Sequence, residues 1–401
     1  MGIWSCIGQD LQTVTESLKQ GRSGIIFDPT RIEYGLHSGL TGNVPRPDLK
    51  SLLPRKFRVT MSEDAEYAYM AAKQAFEQAG VDDTYLRENE VGIIFGNDGN
   101  VHSYEYLKIM DEEHDSLLLG PNAFFRSTTS SVSMNLSTIF HLKGINICVG
   151  AACASSSQAM GLAMMCIRQG WQDMILVGGS CALDMRGITV IDAVEAVSLR
   201  NNEPTCASRP FDMDRDGMVP SGGAAALLLE EYEHAVARGA TILAEVCGYG
   251  FSSNGTENIS IPSAEAEYIA MQRALTDADM QPAEIDYVNA HCTSTPLGDI
   301  EEAKALTRLF SGTKQPFVSS TKSMTGHEIW MAGASEALYS ILMMQHGFVA
   351  PNINLQNKID EAKDLNIVTE TIYTPIRTIL SNSLGMGGTN SALVLRAVSN
   401  Q

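Results

Sequence analysis

Short apolar runs alternate with longer stretches of helical periodicity along this sequence. Brief runs that end at glycine or polar residues are typical of buried strands, whereas apolar residues repeated every three or four positions predict helices. We expect strands at residues 91–95, 145–149, 174–177, 224–230, 285–289 and 317–320, and a closing hairpin of residues 378–381 and 392–395. We expect helices at residues 61–79, 153–168, 234–238, 264–275, 299–310 and 333–346.

The alternation of strands and helices predicts an α/β fold in which helices cover both faces of each sheet. In each half of the chain a predicted strand precedes a reactive residue type: Cys153 follows the run 145–149, and His291 follows the run 285–289. This shared order indicates an internal duplication, and no low-complexity linker separates the halves. We therefore expect two closely packed halves, residues 1–235 and 236–401.

The balance of charge excludes two classes of protein. The 28 Lys and Arg residues are outnumbered by 47 Asp and Glu residues, which gives a formal net charge of −19. A nucleic-acid-binding protein, or one held on membranes by basic residues, needs a positive field, so neither class fits. Residues 145–167 are uncharged and long enough to span a bilayer, but Asn146, Gln158 and three consecutive serines interrupt them. We expect no membrane span.

The cysteines point to a reducing environment. The chain has eight of them and none forms a C-x-x-C pair, so we expect neither a metal site nor a disulfide framework. Residues 1–5 lack the basic and apolar segments of a secretory signal. We therefore expect a cytoplasmic location and mostly inert, buried thiols, of which one or two are reactive.

Cys153 is the cysteine whose position indicates chemistry. It lies in Gly-Ala-Ala-Cys-Ala-Ser-Ser, where a predicted strand turns into a predicted helix. A thiol at a helix N-terminus feels the positive end of the dipole and unpaired N–H groups, which favour the thiolate and could bind an oxyanion. From spacing alone, the alternative is a small apolar residue that packs inside a helix of small residues.

Two histidines and a glycine-rich loop also follow predicted strands. His291 and His327 lie on loops beside small residues and could reach a shared cleft, although a single histidine there is more often a structural hydrogen-bonding residue. They lack the spacing of a HExxH metal site. Residues 382–390 are rich in glycine, but Asn390 replaces the last glycine of a dinucleotide-binding motif. That loop is either a backbone wall beside a substrate or a simple turn.

Four ordered motifs are similar to those of one enzyme family. They are Ala-Cys-Ala-Ser-Ser at 152–156, Asn-Ala-His-Cys-Thr-Ser-Thr at 289–295, Lys-Ser-Met-Thr-Gly-His at 322–327 and Asn-Ser-Leu-Gly-Met-Gly-Gly-Thr-Asn at 382–390. Together they resemble the β-ketoacyl-acyl-carrier-protein synthases over nearly the whole chain. Residues 208–217, 346–352 and 365–370 resemble synthase I more than synthase II.

The resemblance implies a thiolase fold, in which two similar halves form five layers in the order α-β-α-β-α, and a homodimer. It implies transfer of an acyl group from an acyl-carrier-protein thioester to a cysteine. Malonyl-carrier-protein then loses CO2, and the resulting carbanion attacks the acyl-enzyme to give 3-oxoacyl-carrier-protein, as in fatty-acid elongation. A soft thiolate attacks a thioester readily, so we expect no metal or organic cofactor.

The same resemblance assigns catalytic roles residue by residue. Cys153 matches the nucleophile of the family. His291 and His327 match the pair that polarises the malonyl thioester carbonyl and stabilises the enolate, a role that suits neutral imidazoles. Lys322 and Glu336 match the charged pair that orients the histidines.

Further matches concern the substrate. Thr293 and Thr295 match the threonines that hydrogen bond to the pantetheine arm. Met386 and Gly387 match the loop beside the acyl pocket. The N–H groups of Cys153 and Met386 match the oxyanion hole.

Four places depart from the family pattern. The chain begins Met-Gly-Ile, so the first strand is expected to be truncated. Cys292 stands where glycine usually follows the histidine, and we hypothesise a second reactive thiol near the pocket. Residues 328–331 replace small residues, with Trp330 interpreted as a packing residue. Met386 replaces a phenylalanine that gates the acyl pocket, which predicts tolerance of unusual, unsaturated acyl chains.

A carrier protein is acidic, so a chain with a net charge of −19 needs a local basic patch to bind one. Residues that match the family's carrier-docking positions are Arg55, Lys56, Arg58 and Arg126. For any one of them, a solvated surface side chain is the alternative.

Other functions stay open at this point. A ketosynthase subunit of a specialised polyene or polyketide pathway would share the same chemistry. A chain-length-factor partner would shape the product without condensing, and Cys153 argues against it because such partners lack the nucleophile. A cysteine protease fits poorly, since a Cys-His pair has no use for the second histidine motif.

Overall fold

The computed structural model describes residues 1–99 and 102–398. Its strands are β1 (Gly2–Trp4), β2 (Ile25–Phe27), β3 (Leu40–Gly42), β4 (Gly92–Gly96), β5 (Asn146–Val149), β6 (Met174–Cys181), β7 (Gly223–Glu230), β8 (Glu245–Ser253), β9 (Tyr287–Asn289), β10 (Phe317–Ser319), β11 (Phe348–Val349), β12 (Asn366–Ile367), β13 (Ile372–Tyr373), β14 (Thr378–Gly385) and β15 (Thr389–Arg396). Its helices are α1 (Leu11–Gln20), α2 (Pro29–Tyr34), α3 (Arg55–Arg58), α4 (Glu63–Ala79), α5 (Asp83–Glu88), α6 (His102–Glu113), α7 (Ala123–Ser127), α8 (Ser131–Phe140), α9 (Ser155–Arg168), α10 (Met185–Asp192), α11 (Pro204–Ala207), α12 (Tyr232–Ala237), α13 (Ala264–Asp277), α14 (Gly298–Leu309), α15 (Lys322–Thr325) and α16 (Ala332–His346).

Two sheets divide the molecule into five layers. The first sheet has the strand order β1-β7-β6-β4-β5, and the second has the order β12-β10-β9-β14-β15-β8. Helices α9 and α16 pack against each other between the sheets. Helices α4 and α8 cover the outer face of the first sheet, while α13 and α14 cover the outer face of the second. The predicted α-β-α-β-α arrangement is confirmed.

Neighbouring residues of a strand join different layers. Ile94 belongs to the central cluster around α9 and α16, whereas Ile93 and Phe95 belong to the outer cluster around α4. In the second sheet Tyr287 joins the central cluster and Val288 the outer one. Successive side chains of a strand point to opposite faces, so a strand covered on both sides must be apolar throughout. This is why apolar runs without alternation form both sheets.

The two sheets repeat one topology. In chain order β1, β4, β5, β6 and β7 correspond to β8, β9, β10, β14 and β15, because neighbouring strands pair in the same orientation in both sheets. The repeat therefore matches β5, which precedes Cys153, with β10, which precedes His327. The predicted match of Cys153 with His291 is wrong. His291 and His327 both lie on loops that follow adjacent parallel strands. The order of residues along the chain therefore could not show which histidine corresponds to Cys153.

Two strands of the first sheet, β1 and β6, differ in part from what the pattern of apolar residues predicts. Strand β1 is short, as predicted, but it pairs antiparallel with β7, so the sheet keeps five strands. Strand β6 continues through Gly178 and Gly179, although the pattern predicts its end before them. A Cβ at Gly178 would lie 2.1 Å from the carbonyl oxygen of Ala225, and one at Gly179 would lie 2.8 Å from Cα of Met331. These glycines allow close packing and do not end the strand.

The helices of the described ranges include none that is both long and apolar enough to cross a membrane. The uncharged residues 145–167 form β5, a 3₁₀ turn and most of α9, so the predicted strand followed by a helix is confirmed.

The close packing at β6 predicts a sensitive position. We expect Gly179→Ala to lower the free energy of unfolding by about 2 kcal/mol, because the new methyl group would meet backbone atoms that cannot move aside. Gly255→Ala is the control: a Cβ there meets nothing within 4 Å, and only its φ of +58° opposes the change, at a cost of about 1 kcal/mol. Urea unfolding of both variants measures the difference. Equal losses would contradict the packing argument.

Candidate active site

The two central helices meet at their N-terminal ends through small residues. A Cβ on Gly333 of α16 would lie 2.6 Å from Cβ of Ser157 on α9. The N–H of Ala334 donates a hydrogen bond to Oγ of Ser156 over 3.0 Å. Because the cysteine motif precedes α9 and the second histidine motif precedes α16, this contact brings the two motifs together.

Cys153 lies on a tight turn in front of α9. The turn is a 3₁₀ segment, Ala152–Ala154, and the α-helix begins at Ser155, two residues later than predicted. Ala152 has a φ of 48°, in the left-handed region that is costly for residues other than glycine. The thiol is therefore carried on a strained turn and not within the first turn of the helix. It is half-buried.

Hydrogen bonds hold this strained turn in place. The N–H of Ala152 donates to Oδ2 of Asp98 over 2.9 Å, and the N–H of Ala151 donates to Oγ of Ser155 over 2.9 Å. Oγ1 of Thr389, at the start of β15, donates to the carbonyl of Ala151 over 2.7 Å. The strain of the turn is thus offset by three partners, one of them from the second half of the chain.

Burial raises the pKa of the Cys153 thiol, although the sequence predicts that a helix N-terminus favours the thiolate. The N–H groups of Met386 and Cys153 and the charge of Lys322 act in the opposite direction but do not outweigh burial. The contribution of the N–H groups agrees with the prediction that this turn favours the thiolate, and burial opposes it. Because the N–H groups of Met386 and Cys153 both act on the thiol, they lie near the place where an oxyanion formed by attack of this sulfur would need donors.

His291 and His327 lie side by side next to this thiol. Their ring centroids are 5.2 Å apart and their planes cross at 88°. Sγ of Cys153 and one ring nitrogen of each histidine all lie within 4.8 Å of one another. Both ring nitrogens of His327, and Nδ1 of His291, are buried without a hydrogen-bond partner within the described residues. These nitrogens point to interactions with a bound molecule.

Both histidines are neutral in this environment. Burial, followed by the positive charge of Lys322, lowers the pKa of each ring well below its usual range. A neutral imidazole has one N–H donor, so each ring can donate a hydrogen bond to a carbonyl or enolate oxygen. The structure therefore has the neutral rings that the resemblance requires.

Lys322 and Glu336 form a buried ion pair behind the histidines. Each has about 1% of its surface exposed, and Nζ of Lys322 hydrogen bonds to Oε1 of Glu336. Burial raises the pKa of Glu336, against the pull of Lys322. The structure brings this predicted pair together. Because a buried charge needs a partner, loss of either residue would leave the other unpaired near the rings.

Two buried carboxylates that the sequence analysis did not identify hold the His291 loop. Glu302 accepts hydrogen bonds from the N–H groups of His291 and Cys292, over 2.9 and 2.6 Å. Asp299 accepts one from the N–H of Ser294 over 3.1 Å. Both acids are fully buried in the first two turns of α14. Acidic residues on the apolar face of a helix were the sequence signal that could have found them.

The predicted substrate residues lie at the same end of the second sheet. Oγ1 of Thr293 and Oγ1 of Thr295 are 3.1 Å apart on the loop after β9, and both residues are half-buried. Met386 and Gly387 form the turn of the β14-β15 hairpin, and the side chain of Met386 is 52% exposed. Gly387 has a φ of +84°, which explains a glycine at this turn.

The structure does not support a reactive thiol at Cys292. Its side chain is 2% exposed and packs in the outer core of the second sheet. Burial and the carboxylates of Glu302 and Asp299 raise the pKa of this thiol well above its usual range. The near-complete burial of this side chain in an apolar cluster therefore favours a packing role.

Trp330 lies against the backbone of another loop, as predicted for a packing residue. A Cβ added to Gly99 would lie 3.0 Å from Nε1 of Trp330. The indole therefore occupies space that only glycine leaves open at this position.

The predicted docking residues differ in their exposure. Arg55 and Lys56 are exposed on α3. Arg58 on the same helix is half-buried, and its Nε donates to the carbonyl of Leu53 over 3.0 Å. Arg126 on α7 is half-buried beside His102, with 3.5 Å between Nη2 and Nε2. Arg55 and Lys56 are therefore the two best placed to meet a partner.

The arrangement suits one kind of chemistry. A thiol can attack a carbonyl whose oxygen is held by two converging N–H groups, and two neutral imidazoles can stabilise a second developing oxyanion. The same sulfur and ring nitrogens are also spaced closely enough to bind a thiophilic cation such as Zn²⁺.

Comparisons with known proteins agree with this geometry. The family models "Beta-ketoacyl synthase, N-terminal domain" and "Beta-ketoacyl synthase, C-terminal domain" match residues 1–235 and 243–356. The chain is 40% identical over 400 residues to 3-oxoacyl-[acyl-carrier-protein] synthase 1 of Escherichia coli (strain K12), covering 99% of this chain and 97% of that protein.

Solved structures show the same fold. A β-ketoacyl synthase from Burkholderia phymatum is similar with a TM-score of 0.94 and 35% identity, covering 99% of this chain and 98% of the other. A type II polyketide ketosynthase, solved in complex with its acyl-carrier protein, is similar with a TM-score of 0.87 and 28% identity over the same shares. The predicted thiolase fold and acyltransferase class are confirmed. This chain belongs to the β-ketoacyl synthase family.

Proposed function

We propose that this enzyme condenses an enzyme-bound acyl group with malonyl-acyl-carrier-protein to give 3-oxoacyl-acyl-carrier-protein in fatty-acid elongation. The observation that carries the proposal is the convergence of Sγ of Cys153 with a ring nitrogen of His291 and one of His327, all within 4.8 Å of one another. The 40% identity to a synthase 1 over nearly the whole chain supports fatty acids as products. A specialised polyketide ketosynthase is the second candidate, at 28% identity.

The first step forms the acyl-enzyme. The sulfur of Cys153 attacks the thioester carbonyl of acyl-carrier-protein, and the carrier thiol leaves with the proton that Cys153 loses. The N–H groups of Cys153 and Met386 are the proposed donors to the developing oxyanion, since both act on the thiol that makes the attack.

The second step forms the carbon–carbon bond. The C–C bond to the malonyl carboxylate breaks, CO2 leaves, and its electron pair becomes an enolate whose oxygen accepts hydrogen bonds from His291 and His327. The enolate carbon attacks the acyl-enzyme carbonyl, the C–S bond breaks, and Cys153 leaves as a thiolate that takes up one proton. Neutral rings suit this step, because a protonated ring could transfer its proton to the enolate carbon before that carbon attacks, whereas a neutral N–H stabilises the oxyanion by hydrogen bonding alone.

The substrate arm is proposed to follow the loop after β9. Thr293 and Thr295 present their hydroxyl groups there and are the proposed partners of pantetheine. Met386 and Gly387 lie at the proposed mouth of the acyl pocket. Tolerance of unusual acyl chains, inferred from Met386 in place of phenylalanine, stays a prediction.

Mutations should affect the acylation of Cys153 and the release of CO2 separately. We expect Cys153→Ala to abolish condensation but to retain release of CO2 from malonyl-carrier-protein, because both histidines remain. We expect His327→Ala to retain acylation of Cys153 and to lose CO2 release by roughly a hundredfold, as for other donors to an oxyanion. Intact-protein mass and trapped CO2 measure the two steps. Cys206→Ala, at an exposed thiol, is the control. Condensation by Cys153→Ala would overturn the proposal.

An acidic carrier protein is the proposed partner. Arg55 and Lys56 give two exposed cations on α3 of a chain with a net charge of −19. The half-buried Arg58 and Arg126 are proposed as secondary contacts. Opposite charges across an interface speed encounter and select the partner.

Reversal of the charges on α3 tests this surface. We expect the double variant Arg55→Glu, Lys56→Glu to raise KM for carrier-bound substrates roughly tenfold, while KM for a small malonyl thioester stays unchanged. The double variant Lys304→Glu, Lys314→Glu makes the same change of charge on exposed lysines elsewhere. Steady-state kinetics at low salt compares the two. If both substrates suffer equally, the docking surface is wrong.

A homodimer is proposed from the open edge of the first sheet. Strand β5 pairs on one side with β4, and its residues are exposed or half-buried. Ile147 and Cys148 of this strand are apolar and half-buried. Exposed apolar side chains of the same half include Leu117 and Phe124, which are 85% and 64% exposed. An open apolar edge pairs readily with a copy of itself. Two copies of β5 would then join the sheets of two subunits.

Proline at this edge tests the dimer. The carbonyls of Ile145 and Val149 accept hydrogen bonds from β4, so the backbone of Cys148 points to the open side. We expect Cys148→Pro to give a monomer, because it removes an outward N–H while β4 pairing survives. Cys148→Ala keeps the N–H and should remain dimeric. Sedimentation velocity distinguishes them, and a dimeric Cys148→Pro variant would contradict β5 pairing.

The division of the fold into two units and the location of the protein are also proposals. We propose that residues 1–235 and 236–401 are the two units of the fold, supported by the assignment of β1 and β4–β7 to one sheet and of β8–β10, β12, β14 and β15 to the other. We propose a cytoplasmic location, supported by eight cysteines that are all unpaired.

A further inference from the structure

Glu328 is a buried acid that the proposed mechanism does not use. It directly follows His327 in the chain and is 1% exposed. Its two carboxylate oxygens accept separate hydrogen bonds from helix α16: Oγ of Ser335 donates to Oε2 over 2.5 Å, and the hydroxyl of Tyr339 donates to Oε1 over 2.8 Å. Ser335 and Tyr339 lie one turn apart on α16, so the carboxylate bridges two turns of the helix.

His327 lacks side-chain anchors of its own. Neither ring nitrogen has a hydrogen-bond partner among the residues that the structure describes. Its backbone is held from one side, since its N–H donates to the carbonyl of Val219 over 2.7 Å and its carbonyl accepts from the N–H of Ser221 over 2.8 Å. On the other side, the nearest side-chain anchor along the chain is Glu328. The position of the ring therefore depends on where Glu328 holds the following turn.

The same helix carries the partner of Lys322. Glu336 lies on α16 one residue after Ser335, and it hydrogen bonds to Lys322. Glu328 lies on the turn before α16, and the charge of Lys322 acts on its carboxylate as well. Burial raises the pKa of Glu328 to about 7, while Ser335, Tyr339 and Lys322 lower it. The carboxylate thus lies in the field of Lys322 and is tied to the helix that completes the ion pair.

We propose that Glu328 is a positioning residue for the decarboxylation step, which fixes the ring of His327 by linking the turn that carries it to Ser335 and Tyr339 of α16. The inference rests on the role proposed above for His327. It does not involve Cys153, whose turn is held by Asp98, Ser155 and Thr389. Loss of Glu328 should therefore slow the step that uses His327 and spare the acylation of Cys153.

Substitution of Glu328 tests the link. We expect Glu328→Ala to lower kcat for CO2 release from malonyl-carrier-protein by about tenfold, with KM unchanged, since small displacements of a catalytic group cost this much or more. Acylation of Cys153 should change less than twofold. Glu328→Gln keeps the length and can still bond both hydroxyl groups, so it should restore most of the lost rate. A merely structural role would lower both steps and the thermal midpoint together.

Tyr339→Phe gives a second variant that keeps the volume of the core. It removes one of the two bonds to Glu328 and should lower the decarboxylation rate several-fold relative to acylation. Tyr67→Phe is the matched control, because it removes a partly buried Tyr–Glu hydrogen bond of 3.0 Å to Glu63 in the outer layer. Its ratio of the two rates should equal that of the wild type.

These experiments distinguish a failure of the proposed function from a failure of this inference. A wild-type enzyme that releases no CO2 from malonyl-carrier-protein would overturn the proposed function, and this inference with it. An active wild type whose Glu328→Ala and Tyr339→Phe variants keep the wild-type ratio of the two rates would overturn the inference alone. A selective loss of decarboxylation in both variants, with rescue by Glu328→Gln, supports it.

Discussion

The contact between the N-terminal ends of α9 and α16 is the constraint on which the rest of the structure depends. Gly333 and Ser157 allow the two helices to approach where a larger side chain would force them apart. Each helix is preceded by a turn that carries one reactive group, so the distance between Cys153 and His327 is set by how closely the helices meet. The sheets on either side hold both helices in a dry interior.

Burial away from water explains the pKa shifts of the two histidines. One buried cation, Lys322, with its partner Glu336, lies close enough to both histidines to lower their pKa, and burial acts in the same direction. Rings that stay neutral can donate hydrogen bonds to a developing oxyanion without carrying a charge that must itself be buried. The ion pair and the burial of the rings are thus parts of one arrangement.

The repeated topology accounts for the placement of the reactive groups. Cys153 follows β5 and His327 follows the corresponding strand β10, so the two halves place a thiol and an imidazole at equivalent positions. His291 comes from the neighbouring strand β9, and its loop is held by Glu302. Equivalent positions of the two halves thus carry different reactive groups, and these groups meet at the interface between the halves.

Much of the fold and of the site could be predicted from the sequence, because local patterns and ordered motifs report on local structure. The apolar run around Ile94 predicted a strand buried on both faces, and the motif around Cys153 predicted its place after a strand. What could not be predicted depends on contacts distant in sequence. Gly179 looked like the end of a strand until its neighbours were known, and the carboxylates of Glu302 and Glu328 looked like ordinary polar residues of a helix and a loop.

The measurement that tests the central claim most directly is the mass of the product formed by the wild-type enzyme from an acyl-carrier-protein and malonyl-carrier-protein. The account predicts a 3-oxoacyl-carrier-protein two carbons longer than the starting acyl group, with one CO2 released for each molecule formed. Transfer of an intact malonyl group, or acylation of Cys153 without any chain growth, would contradict it.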